Sequence, residues 1–217
     1  MGTRAALAFT AAAPRSTVGC SPCRAELLAG LAFLEGSSNP AWGVAGLRAW
    51  FAEHLTASGW MMTPVVVTEP GAGSVALHGS SAHGLASHGN LPQILSAARD
   101  RVLAALRGLT ASSSDDRFLS GAIYAGRVRR MRVDGASRWV VRPAPTATLS
   151  DIVLAVFAAD VLTNREGYET SLCVCDTCSR VTFKEGVEDR RSCPAHRPAL
   201  SGFIRKVAPE QDMRWAS

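Results

Sequence analysis

Residues 148–164 read TLSDIVLAVFAADVLTN, and this stretch decides how the second half of the chain folds. Ile152, Val153, Val156, Phe157, Val161 and Leu162 recur at helical spacing and cover more than one face, as in a helix enclosed by other elements. Thr148 or Ser150 can cap its first turn through a side-chain oxygen. A helix is therefore predicted from Asp151 to Asn164, central to the second half of the chain.

Upstream, Pro143-Ala144-Pro145 separates this helix from a hairpin. Two runs, Gly121 to Val133 and Ser137 to Arg142, flank Asp134-Gly135, the dipeptide favoured in a tight type I′ turn. The hairpin carries Arg127, Arg129, Arg130, Arg132, Arg138 and Arg142, the densest basic patch in the sequence. Side chains alternate along a strand, so Arg127 and Arg129 point to one side and Arg130 and Arg132 to the other. At least one of these pairs faces something other than an apolar core. The four arginines are candidates to contact a phosphate or an acidic protein; an edge hairpin kept soluble by charge is the plainer reading.

Further upstream, Leu27, Leu28, Leu31 and Leu34 predict an amphipathic helix over Arg24 to Glu35. Leu47, Trp50, Phe51 and Leu55 predict a second, stopped at Gly59. Trp60 to Thr68 ends in a β-branched run and reads as a strand, with a turn through Glu69-Pro70-Gly71-Ala72-Gly73 and a return over Ser74 to His78. Ile94 to Leu109 is an amphipathic helix. The polar run Thr110 to Asp116 is the best linker candidate.

Downstream, residues 173–197 read CVCDTCSRVTFKEGVEDRRSCPAHR. Cys175-x2-Cys178 and Cys193-x2-His196 are 14 residues apart, the arrangement in which two short knuckles meet around one tetrahedral zinc. The two-residue gaps matter because a tight turn lets both side chains converge while backbone amides point at the thiolate sulfurs. Val181-Thr182-Phe183 and a turn through Lys184-Glu185-Gly186 complete a natural hairpin between the knuckles. This segment resembles a zinc ribbon or, if a helix follows His196, a treble clef. The resemblance implies a structural zinc ion held by Cys175, Cys178, Cys193 and His196, a closed sphere with no position for activated water. Cys173 is a spare thiol able to replace Cys175. Arg180, Arg190, Arg191 and Arg197 surround the motif and can clamp phosphates, although Glu185, Glu188 and Asp189 partly offset them.

Cys20-Ser-Pro-Cys23, opening the first helix, resembles the redox turn of thioredoxin-like proteins, in which a helix N-terminus lowers a thiol pKa. Thr63-Pro64 resembles their cis-proline position. The sequence departs from that pattern in that no Trp precedes Cys20 and no strand leads into it. His78, His83 and His88 recur every five residues in a Gly and Ser loop, a period that fits neither helix nor strand, so a surface loop is the default.

Composition bounds the rest. The chain has 217 residues, 47% hydrophobic and 19% charged, with a mean hydropathy of +0.09. It therefore reads as globular rather than disordered or collagen-like, with no run long and apolar enough to span a membrane. The net charge of +5 permits an anionic partner without requiring one. Of the 23 basic residues only Lys184 and Lys206 are lysines. Arg favours bidentate contacts to carboxylate or phosphate, but a coding bias gives the same skew and is the stronger explanation. The six cysteines cluster towards the two ends, which suits metal ligands in a reducing compartment better than a disulfide framework and points to the cytoplasm. The Ala-rich Met1 to Ala13 is the counter-reading, a weak signal or transit segment.

These readings add up to an α+β protein of mixed helices and short antiparallel hairpins with a small C-terminal zinc-bound module. Its expected divisions are a flexible tail (1–19), an α+β region (20–110), the hairpin with the buried helix (117–170), and the zinc module with a tail (171–217). No GxxxxGK[ST] or GxSxG occurs. The sequence points first to a non-enzymatic intracellular adaptor or regulator docking a protein or nucleic-acid partner. A thiol-disulfide oxidoreductase using Cys20 and Cys23 is the alternative from another class.

Overall fold

The computed structural model describes residues 25–55, 66–77, 90–111, 115–133, 135–142, 147–183, 190–193 and 195–196. The elements are α1 (Ala25–Ser37), α2 (Val44–His54), β1 (Val66–Glu69), β2 (Gly73–Ala76), α3 (Leu91–Thr110), α4 (Arg117–Tyr124), β3 (Val128–Val133), β4 (Ala136–Val141), α5 (Leu149–Thr163), α6 (Arg165–Ser171), β5 (Leu172–Val174) and β6 (Val181–Phe183). Among the described residues the strands form three separate two-stranded antiparallel sheets, and the fold is α+β.

Helix α5 is the hub, and not of the second half alone: α1, α3, α4, α6 and all or part of two hairpins pack on it. Its apolar residues face every way, and Leu149, Val153, Phe157 and Ala158 are fully buried. Burying an aromatic or large aliphatic side chain in this way contributes roughly 1.5–3 kcal/mol. The approach of α1 to α5 depends on Gly30, where an added Cβ would lie 2.5 Å from Phe157 Cζ. On α1, Leu28 is 45% exposed while Phe33, absent from the leucine stripe, is fully buried. Trp50 of α2 closes against α1 by donating its indole N–H to the Ala29 carbonyl at 2.8 Å. Helix α3 buries the expected Ile94, Leu95, Ala98, Val102, Leu103 and Leu106.

The start of α5 is fixed by charge as well as by packing. Thr148, not Ser150, is the N-cap, and it forms a capping box with Asp151, satisfying two amides that the helix leaves open. Ser150 instead donates its N–H and its hydroxyl to the buried Glu69 of β1, both at 2.9 Å. Arg101 of α3 pairs with the same carboxylate at 3.1 Å. A negative charge beside the positive end of a helix is favourable, and here it ties β1 and α3 to α5.

Two expectations about the middle of the chain are corrected. Gly121–Tyr124 is not the start of a strand but the end of α4, which packs through the buried Leu119 and Ala122. The strand begins only at Val128, after Gly126 turns the chain at φ +65°. Helix α6 continues from α5 with no counterpart in the sequence reading. The positive φ of Gly135, +79°, suits the tight turn expected at Asp134-Gly135; Asp134 lies outside the described residues.

Candidate metal centre

Strand β5 leaves α6 fully buried and delivers Cys175 at its end. Cys175–Arg180 is the turn of the β5–β6 hairpin, whose register pairs Leu172 with Phe183 and Val174 with Val181. The Ser179 N–H donates to the Cys175 carbonyl at 2.8 Å, and the Cys175 N–H to the Arg180 carbonyl at 2.9 Å. Ser179 takes the left-handed conformation, φ +57°. Val181–Phe183 thus pairs backward with Leu172–Val174, which the sequence reading passed over; the turn expected at Lys184-Glu185-Gly186 lies outside the described residues. The signal for β5 was present, in that Leu172-Cys173-Val174 is an apolar, partly β-branched run directly before a ligand.

The second arm lies along the other edge of β5. Val174 and Asp176 donate their N–H groups to the carbonyls of Arg190 and Arg191 at 3.0 and 2.9 Å, and the His196 N–H closes a turn onto the Cys193 carbonyl at 2.9 Å. Arg190 turns inward. Its guanidinium donates to the carbonyls of Leu172 (3.1 Å), Tyr168 (2.9 Å) and Leu109 (3.4 Å), joining the module to the ends of α3 and α6. Arg107 of α3 adds a bond to Ser179 Oγ at 2.8 Å. Asp176 takes Arg191 at 2.7 Å.

These supports bring together the four residues singled out by spacing. One ligand atom from each of Cys175, Cys178, Cys193 and His196 lies within 4.8 Å of every other. Cys178 Sγ and Cys193 Sγ are 3.7 Å apart, and His196 Nδ1 is 3.2 Å from Cys193 Sγ and 3.6 Å from Cys175 Sγ. Metal–sulfur bonds of about 2.3 Å in a tetrahedron place sulfurs about 3.8 Å apart, so the cluster has the dimensions of a four-coordinate site. Nδ1 is the imidazole nitrogen that faces the thiols. Cys175 and Cys193 are buried and Cys178 and His196 exposed, so one side of the site opens to solvent. Cys173, the spare thiol, is buried in β5 and does not belong to the cluster.

The electrostatics favour the thiolate at Cys175 and Cys193 and disfavour it at Cys178. The amides of Cys193 and Cys178 lower the Cys175 thiol to about 6. Burial raises Cys193, but bonds from His196 and the Ala195 amide outweigh it and the net shift is downward. At Cys178 the Arg180 amide pulls down, yet desolvation and the neighbouring thiols prevail and the thiol is raised. His196 is raised by its contacts with Cys193 and Cys175.

The hairpin arginines divide. Arg127 is half-buried and pairs with Asp151 at 2.7 Å, which makes it part of the α5 capping network rather than a free contact. Arg129, Arg130 and Arg132 are exposed. Arg130 donates to Ser137 Oγ at 2.6 Å and Arg132 to the Gly135 carbonyl at 3.3 Å. Around the cluster, Arg180 is exposed, while Arg197 lies outside the described residues, as do Cys20, Cys23, His78, His83, His88 and the tails. Among the described residues no helix is long and apolar enough to cross a membrane. No family model, curated protein or solved structure matches this chain.

Proposed function

We propose that this chain is a non-enzymatic docking protein whose C-terminal module, of zinc-ribbon or treble-clef type, is closed by a structural zinc ion and works in the reducing cytoplasm as an adaptor or regulator. The observation that carries this reading is the convergence of three thiols and one imidazole within 4.8 Å. Soft thiolates with one imidazole in tetrahedral array suit zinc before magnesium or calcium. Four protein ligands fill the sphere, so the ion's contribution is folding energy rather than activation of water. Arg190 and Arg107 carry that rigidity into α3 and α6, which suits a module that presents a surface to a protein or nucleic acid. Support for binding over thiol redox catalysis comes from the described part of residues 25–110, whose strands form one two-stranded hairpin. A redox turn needs a sheet to hold and shield it.

Elemental analysis of the purified full chain tests the reading, with one zinc per chain expected and no reduction of insulin disulfides. A protein without metal whose near-UV signal is unchanged by chelator contradicts it. Rapid alkylation of Cys20 well below pH 7, with insulin reduction, would make the oxidoreductase the leading function.

A further inference from the structure

We infer that the β3–β4 ribbon grips the phosphate walls of a duplex DNA groove, an inference that rests on the reading of this chain as a docking protein and names its partner. The ribbon is anchored at its base and along β4, where Trp139, on the same face as Arg130 and Arg132, packs against the core and donates its backbone N–H to Thr163 Oγ1 of α5 at 3.5 Å; its turn-proximal part stands clear. Val128 and Val141, paired at its base, are buried, whereas Arg129, Arg130, Met131, Arg132, Ala136 and Ser137 beyond them are exposed. Six residues per strand give a length of about 20 Å.

Its charge is unbalanced. Between Val128 and Val141 the sequence holds four arginines and one acidic residue, Asp134, and neither strand contains Asp or Glu. Arg101, Arg107, Arg117, Arg127, Arg165 and Arg191 all face carboxylates. The bonds of Arg130 and Arg132 go instead to a hydroxyl and a carbonyl, which leave the full positive charge in place.

The distribution of that charge selects the partner. Arg130 and Arg132 share one face of the ribbon with Trp139 and Ser137, while Arg129 lies on the other with Val140 and Met131. A flat acidic protein surface would meet one face and leave the other charge unused. A groove presents phosphates on both sides, and the B-form major groove, about 12 Å wide, admits a two-stranded ribbon. Met131, 47% exposed, supplies an apolar group able to meet a thymine methyl.

The test is fluorescence anisotropy of the full chain with a labelled mixed-sequence DNA duplex, the same single strand and polyglutamate, from about 50 to 200 mM salt. Three phosphate contacts contribute a slope of about −2.7 in log affinity against log salt, or roughly 40-fold across that range. The combined variant Arg129→Ala, Arg130→Ala, Arg132→Ala removes that part of the slope, whereas the three Arg→Lys changes retain most of it. No duplex binding at about 50 mM salt, an unchanged slope in the Ala variant, or equal or tighter binding to single strand or polyglutamate would overturn the inference. Metal content is measured on the same samples. Metal-loaded protein that ignores duplex sinks the ribbon alone, and metal-free protein that binds duplex keeps the ribbon while sinking the zinc reading.

Discussion

The hairpins β3–β4 and β5–β6 share a topology and differ in nearly everything that holds them. The first has six-residue strands, a glycine-containing turn and solvent over β3 beyond Val128 and over the turn end of β4. The second has three-residue strands, a turn built from ligand residues, and Tyr168 of α6 packed edge-on against Phe183 at 5.0 Å. A two-stranded hairpin alone is marginal in water. The long one is held at its base, through Val128, Val141 and the Arg127–Asp151 pair, and by Trp139 of β4 against α5, leaving its turn end exposed. The short one is held at its turn, by the thiol–imidazole cluster, and along the outer edge of β5, by Arg190 and Arg191. Anchoring at the base exposes a surface; anchoring at the turn makes a rigid joint.

Breaking the joint should give the largest effect. Chelation, or Cys175→Ser, should remove the metal and unfold the β5–β6 module, since structural zinc contributes on the order of 10 kcal/mol in small modules. The near-UV signal of the Tyr168–Phe183 contact should collapse while most far-UV helical signal survives, because α5 is held by its own core. Arg190→Ala should cost about 2–4 kcal/mol in denaturant unfolding with metal still bound, as it strips a charged donor from three carbonyls. Acid should act on the same joint. The surrounding amides depress the Cys175 thiol to about 6, so its thiolate, and the stability it contributes, is present above the unfolded thiol value and is lost on acidification, when protons displace the metal from its ligands. Metal release and loss of the near-UV signal should rise together as pH falls, and loss of the near-UV signal with the metal still bound would contradict the arrangement. The smallest effect should come from the long hairpin, where Arg130→Ala or Arg132→Ala should change stability by less than about 0.5 kcal/mol. A larger loss would show that these arginines hold the fold rather than serve a partner.

Legibility in the sequence followed the locality of the physics. The α5 helix was readable because a local capping residue opens an apolar run too long for a strand, and the ligand set because a metal demands short, fixed spacing. The boundary at Gly121–Tyr124 was misread because β-branched Ile123 beside Tyr124 resembles a strand, whereas burial of Leu119 and Ala122 decides for helix. The roles of Arg190, Arg107 and Glu69 were not legible. Each acts on atoms brought close only by folding, with 81 positions between Glu69 and Ser150 and between Arg190 and Leu109. Nothing local distinguishes an inward arginine such as Arg190 from the adjacent Arg191, which lies at the surface against Asp176.

The joint itself is the central claim, and X-ray absorption at the zinc edge of the purified full chain tests it most directly. The account predicts one zinc per chain with three sulfurs at about 2.3 Å and one imidazole nitrogen at about 2.0 Å. Four sulfurs, a shell of nitrogen and oxygen alone, or no zinc would contradict it.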